Sequence, residues 1–190
     1  MGANVRFSVR TSLLDVIAAT IPLSFACGGD NLDKVDADDW VADICDAADD
    51  FNDDLERSAE RLQVLGEGDP DDIKEAIDKF ANDAKEAIDG FVKKVEDIGQ
   101  PDIDGGGKVV QAIRDHARDE QRAIDDFRDE VNDLDIDDED DFRDEVVKIL
   151  SEGPDLDLRD RLEDIDEDEV DDLMGEIDED SQCSAALFSS

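Results

Sequence analysis

The chain has 190 residues, with 59 acidic and 19 basic side chains and a formal net charge of −40. This length allows one domain with a hydrophobic core, and the hydrophobic fraction of 39% exceeds that of a purely disordered acidic tail. Because so negative a surface repels phosphate groups, the composition excludes nucleic acid and anionic lipid headgroups as direct ligands. It favours a basic protein partner and weakly held inorganic cations.

The acidic residues are spread along the chain and are mostly Asp, a weaker helix former than Glu. Helix stability therefore does not explain that preference. Adaptation to high external salt is the simplest interpretation, because salt screens the repulsion between neighbouring carboxylates. A specific use of the charge, such as mimicry of DNA or storage of calcium, is the alternative.

The amino-terminal segment has the pattern of a secretory signal peptide, which we predict for residues 1–26. Arg6 and Arg10 precede an apolar run, Leu13 to Ala26, which ends in small residues and is too short for a comfortable membrane span. Asp15 and Pro22 are unusual inside such a run, and the alternative is an ordinary buried helix.

Cys27 is the predicted lipidation site. The stretch "FACGGD" resembles the lipobox junction of bacterial lipoproteins, with the small residue Ala26 before the cysteine and a Gly-rich, acidic tether after it. We predict that tether for residues 27–37. Leu23 is one place earlier than the lipobox requires. The residues Ser24 to Ala26 also satisfy an ordinary signal-peptidase site, and cleavage there would give a secreted protein.

Three cysteines are present, an odd number for an exported protein. A lipid on Cys27 would leave Cys45 and Cys183, whose disulfide would tie together the two ends of the folded region; two unrelated buried thiols are the alternative. The only histidine, His116, has no cysteine near it in sequence, so we predict no metal site and an exposed or half-buried His116.

The body of the chain shows the apolar periodicity of helices. We predict a first helix from about Asp38 to Leu65. A second begins with Asp69 as the N-cap and Pro70 as the first helical residue, and closes at Gly99 and Pro101. Their apolar stripes comprise Val41, Ile44, Cys45, Ala48, Phe51, Leu55, Leu62 and Leu65, and then Ile73, Ile77, Phe80, Ala84, Ala87, Ile88, Phe91, Val95 and Ile98.

A third helix is predicted after "DGGG", followed by a short helix that stops at Gly153-Pro154, and by one or two more up to Ile177. No window alternates like a strand. We therefore predict an all-α fold: an antiparallel four-helix-type bundle with a short irregular C-terminal helical segment, over residues 38–187, with a tail at 188–190.

Three short motifs are spread along the helical region. Trp40 stands five places before Cys45, the turn "GQPDIDGG" runs from Gly99 to Gly106, and Cys183 lies near the carboxyl end. Together they resemble a family of small actinobacterial proteins that are secreted or lipid-anchored. The resemblance spans most of residues 38–183. It implies an all-helical domain with a Cys45–Cys183 link, and it implies no activity.

Two segments resemble ligand-binding loops but lack residues that those loops require at fixed positions. The run Asp133 to Asp144 has alternate acids, but it lacks the Gly, the apolar residue and the Glu of an EF-hand, so we interpret it as a solvated acidic linker. In "DIDGGGK", Val109 follows Lys108 where a phosphate loop needs Ser or Thr, so we interpret the glycines as a tight inter-helix connection.

Acidic pairs occur throughout the chain and none marks an acid–base couple, and no His lies beside a Ser or Cys. We therefore predict no enzyme, no catalytic residue and no cofactor, and a core role for Trp40. The predicted function is that of a non-enzymatic exported lipoprotein with a structural or binding role on the outer face of the cell membrane. The alternatives are a cytoplasmic acidic protein that mimics DNA toward a basic partner, and a weak calcium binder at the cell surface.

Overall fold

The structure is a computed structural model that describes residues 32–60, 62, 68–135, 138–151 and 158–188. Those residues are 84% helical and form seven helices and two very short strands. The all-α fold class predicted from the apolar periodicity is confirmed.

Three helices are long. Helix α1 covers Ala37–Ala59, α2 covers Pro70–Ile98 and α3 covers Gly106–Asn132. The four that follow are short: α4 covers Glu139–Ser151, α5 Leu158–Glu163, α6 Asp168–Glu179 and α7 Ser181–Phe188. The strands are β1, Lys34–Val35, and β2, Gln100–Pro101.

Helix α2 begins and ends where its sequence predicts. The Asp69 side chain accepts a hydrogen bond from the Asp72 backbone N–H at 3.0 Å, and Pro70 occupies the first turn. Gly99 ends the helix with a φ of 106°, a backbone conformation that residues other than Gly rarely adopt. A Cβ at Gly99 would also lie 2.3 Å from the Asp33 carbonyl oxygen, so this position has no room for a side chain.

The long helices pack antiparallel, α1 against α2 and α2 against α3. Trp40, near the start of α1, donates from its indole N–H to the Gly99 carbonyl at 3.1 Å, just beyond the end of α2. Lys74, near the start of α2, donates to the Asn132 carbonyl at 3.0 Å, at the end of α3. Contacts between opposite ends require opposite directions, and the apolar stripes of all three helices therefore meet.

The core has two parts. The larger part joins α1, α2 and α3 to α5, α6 and α7, and the smaller part lies where α4 covers the start of α2 and the end of α3. The side chains of the smaller part are Ile73, Ile77, Val131, Phe142 and Val146. The short helices thus close the surfaces that the long helices leave open.

Two features of the structure were missed by the sequence analysis. The first is the parallel pairing of β1 with β2, in which the Gln100 N–H donates to the Asp33 carbonyl at 2.9 Å. Strand β1 lies inside residues 27–37, the range predicted as a tether, and two residues are too few to show strand alternation. The second is α7, which makes three short helices after α4 where one or two were predicted. Its last residue, Phe188, falls in the predicted tail.

Candidate functional site: the cavity beneath helix α7

A cavity of about 280 Å³ lies between α1, α2 and α3 and is closed by the start of α5 and the end of α7. Most of its wall is aromatic or aliphatic, and three residues of the wall are polar. The lining residues are Ala48, Phe51, Asn52, Leu55, Ile88, Phe91, Ile113, His116, Ala117, Glu120, Leu158, Ala186, Leu187 and Phe188. An apolar pocket with a few polar groups is typical of a small-molecule site.

The long helices supply the floor of this cavity because their apolar stripes turn toward one another there. Phe51 of α1 stacks on Phe91 of α2, with ring centroids 5.2 Å apart. Ile113 and Ala117, one turn apart on α3, are both buried. Both rings line the cavity, where a ligand ring or chain could contact them.

Helix α7 forms one wall and is held in place at several points. The Cys45 and Cys183 sulfurs lie at disulfide-bonding distance, with their Cα atoms 5.0 Å apart. Asn52, on α1, donates from its side-chain amide to the Ala186 carbonyl at 3.0 Å. These contacts join α7 to the first helix, so the wall of the cavity exists before any ligand arrives.

Helix α5 supplies a further anchor for the end of α7. The Arg159 guanidinium lies 4.2 Å from the centroid of the Phe188 ring, a cation–π contact. The same guanidinium donates to both oxygens of Asp178, on α6, at 2.9 and 2.5 Å. This pairing lowers the pKa of Asp178 below its ordinary range, chiefly through the hydrogen bond from Arg159.

The charged group of the cavity is Glu120, on α3. One of its carboxylate oxygens lies 3.3 Å from Nε2 of His116, one helical turn earlier. Burial raises the pKa of Glu120 above its ordinary value, because desolvation disfavours the ionised form. The Glu120 side chain keeps 38% of its surface exposed and His116 keeps 17%, so the pair stands at the mouth of the cavity.

The structure accounts for most of the residues that the sequence singled out. Cys45 and Cys183 meet, as predicted, and His116 is half-buried in the wall of the cavity. Trp40 is a core residue, only 1% exposed. Cys27 and the predicted signal peptide lie outside the described residues.

The two segments weighed as ligand loops have structural roles where the structure describes them. Asp138 accepts hydrogen bonds at 3.1 Å from the backbone N–H groups of Asp140 and Asp141, and so caps the start of α4. A Cβ at Gly106 would lie 2.1 Å from the Pro101 carbonyl oxygen, which confirms a tight connection between β2 and α3. In the described ranges, no three His, Cys, Asp or Glu side chains are grouped to hold a metal ion.

Hydropathy gives one further structural finding. Among the helices in the described part of the chain, none combines the length and the apolar character that a bilayer crossing requires.

Sequence reasoning missed the cavity itself and its residues Asn52, Glu120 and Phe188. Glu120 is one of 59 acids, and nothing in its sequence neighbourhood marks it. The spacing of His116 and Glu120, four residues apart on a helix, was the available signal, because that spacing places both side chains on one face.

Comparison of the chain with known protein families, with curated proteins and with solved structures gives no significant match. The resemblance to secreted actinobacterial proteins therefore stays a prediction that rests on the three motifs.

Proposed function

We propose that this protein is a non-enzymatic lipoprotein: an acidic helical domain attached through Cys27 to the outer face of the cell membrane, where it has a binding role. The leader sequence motivates export, and the three motifs shared with the actinobacterial family agree with it. High external salt is the proposed setting for a chain of net charge −40.

The observation that carries the proposal is the meeting of Cys45 and Cys183 across 138 residues of sequence. Structural disulfides persist in oxidising compartments and are rare in the cytosol. Once these two sulfurs are joined, Cys27 is the remaining cysteine of the chain, and a thioether-linked lipid would give it a role.

The position of β1 limits how far the domain stands from such an anchor. Lys34 is already paired with Gln100, so the connection from Cys27 has six intervening residues. Even fully extended, such a connection spans roughly 25 Å. The proposed anchor therefore holds the domain next to the membrane, and its negative charge keeps it off anionic headgroups.

A binding role agrees better with the site than catalysis does. The cavity combines apolar walls with one carboxylate and one imidazole, and it offers a surface for contact. Of the lining residues that the structure describes, none is a Ser or Cys that His116 could activate as a nucleophile.

Intact-mass analysis of protein isolated from its native membranes tests the proposal. We expect a chain that begins at Cys27 and carries diacylglycerol with an N-acyl group, and that gains the mass of two hydrogen atoms on reduction. Globomycin, which blocks the lipoprotein signal peptidase, should cause the precursor to accumulate.

The Cys27→Ala variant is the matched control, since it should lose the lipid and keep the mass gain on reduction. An unprocessed chain that retains Met1, carries no lipid and has two alkylatable thiols at Cys45 and Cys183 would contradict the proposal. That result would favour the cytoplasmic alternative, which fractionation and capture of a basic partner would then examine.

A further inference from the structure

The cavity beneath α7 has the size and lining of a small-molecule site. An engineered apolar cavity of about 150 Å³ holds one benzene molecule, so the volume of about 280 Å³ found here accommodates an apolar body of about eight to ten carbons. The stacked Phe51 and Phe91 rings and the buried Leu158 side chain provide the surface for that body. The ligand must therefore be largely apolar.

The polar groups of the wall determine the other end of the ligand. Among the described lining residues, Glu120 is the only acid and none is Lys or Arg. Arg159 contacts the Phe188 ring of this wall, but its guanidinium is paired with Asp178. A ligand carboxylate or phosphate would find a like charge in Glu120 and a net charge of −40 around it. A protonated amine would find an opposite charge in both. His116, 3.3 Å from Glu120, carries a positive charge only when it is protonated, so with a neutral imidazole charge complementarity selects a cation.

The exposure of Glu120 fits this orientation. Its side chain is 38% exposed, whereas Leu158 is 5% exposed, so the charged end of the site faces water and the apolar end does not. An ammonium group at Glu120 could remain partly hydrated while the hydrocarbon leaves water, which is the favourable arrangement for an amphipathic ligand. Burial raises the pKa of Glu120, and an ammonium group beside the carboxylate would favour its ionised form.

From these contacts we infer that the cavity binds a small amphipathic amine, with its hydrocarbon body between Phe51, Phe91 and Leu158 and its ammonium group on the Glu120 carboxylate. This inference deepens the binding role proposed above and rests on it. Helix α7, held by Cys183 and Ala186, keeps the site formed in the absence of the amine.

Calorimetry on the full mature chain tests the inference with three probes in molar sodium chloride, which screens association with the acidic surface. Octylamine has both a long hydrocarbon chain and a positive charge. Propylamine has the positive charge with a short hydrocarbon chain, and octanoate has a long hydrocarbon chain with a negative charge. We expect saturable binding of one octylamine per chain and much weaker binding of propylamine and octanoate. Equal affinity for octylamine and octanoate, or no binding of octylamine, would overturn the inference.

Two variants locate the octylamine site. Glu120→Gln should weaken octylamine binding by about two- to fivefold, the size expected of a partly exposed ion pair. Glu130→Gln, an exposed acid on the same helix that does not line the cavity, should leave the affinity unchanged. Equal losses in both variants would show that octylamine binds the general acidic surface, and would refute the site.

A third variant blocks the apolar end. Ala117→Leu fills part of the cavity and should abolish octylamine binding, with circular dichroism as the check that the helices are retained. If that variant fails to fold, the comparison of Glu120→Gln with Glu130→Gln still shows whether octylamine binds at the cavity or on the general acidic surface. Failure of octylamine to bind a chain that carries lipid on Cys27 overturns this inference alone, whereas octylamine binding by an unprocessed chain overturns only the anchoring part of the proposed function.

Discussion

Replacing Cys45 and Cys183 together by Ala removes the link between α1 and α7 and should strongly destabilise the domain. The two residues are 138 apart in sequence, so the link closes a loop that contains nearly the whole domain. The chain-entropy model assigns a loop of that length about 5 kcal/mol of the free energy of unfolding, as an upper value. For a domain of about 150 residues, this corresponds to a fall in Tm of about 10 to 20 °C.

Urea denaturation followed by fluorescence measures this effect. Trp40, the only tryptophan, is 1% exposed in α1 and should report the opening of the core. We expect the double variant to unfold at a lower urea concentration than the native chain, and the native chain treated with reductant to shift in the same direction. The titrations belong in molar sodium chloride, where the repulsion among carboxylates is screened.

Cys27→Ala is the control for loss of a sulfur, because Cys27 is outside the proposed link and should leave the midpoint unchanged. Unchanged midpoints in both the double variant and the reduced native chain would refute the reasoning. Such a result would mean that Cys45 and Cys183, although adjacent in the structure, are not joined in the native protein.

Three further predictions concern the turn after α2 and the mouth of the cavity. Trp40→Phe removes the indole donor to the buried Gly99 carbonyl and should cost about 1–3 kcal/mol of unfolding free energy in urea titrations monitored by circular dichroism; no loss would contradict that bond. Gly106→Ala should cost about 1–3 kcal/mol, because its Cβ would lie 2.1 Å from a backbone oxygen of β2, whereas Gly90→Ala, with open space around it, should be neutral or stabilising; equal costs would refute the steric argument. Burial raises the pKa of Glu120, so the Glu120 carboxyl group binds its proton more tightly in the folded state than in the unfolded state. The contribution of Glu120 to the free energy of unfolding therefore falls as pH rises from its unfolded pKa through its folded pKa. In urea titrations, the free energy of unfolding of Glu120→Gln relative to that of the native chain should therefore increase as pH rises through that interval. A difference that does not change with pH would contradict the prediction.

The long helices could be predicted from the sequence because their signals are local. In α2, the apolar stripe, the Asp69 cap and the closing Gly99 all act within a few residues of one another, and the structure agrees at both ends. The same holds for the glycines before α3, where a tight connection was predicted. The predicted end of the first helix is too late, because α1 ends at Ala59 and the prediction extended to Leu65, which lies outside the described residues.

The structure places the three motifs on which the family resemblance depends close to one another. Trp40 contacts the turn that begins at Gly99, and Cys45 meets Cys183. In the sequence these were separate short patterns. In the fold, Trp40 connects α1 to the end of α2, and Cys45 connects α1 to α7.

The amino-acid sequence by itself determined the helical class, the boundaries of α2 and the acidic charge, because periodicity, capping and charge are properties of the chain. The pairing of Cys45 with Cys183 was a prediction that depended on a lipid on Cys27 and on the family resemblance, and the tertiary structure brings the two residues together. Only the tertiary structure decided that β1 pairs with β2, that the end of α7 closes a cavity between the three long helices, and that Glu120 stands at the mouth of that cavity. Glu120 differs from the other acids through neighbours that are distant in sequence. Its surroundings exist only after the helices have packed.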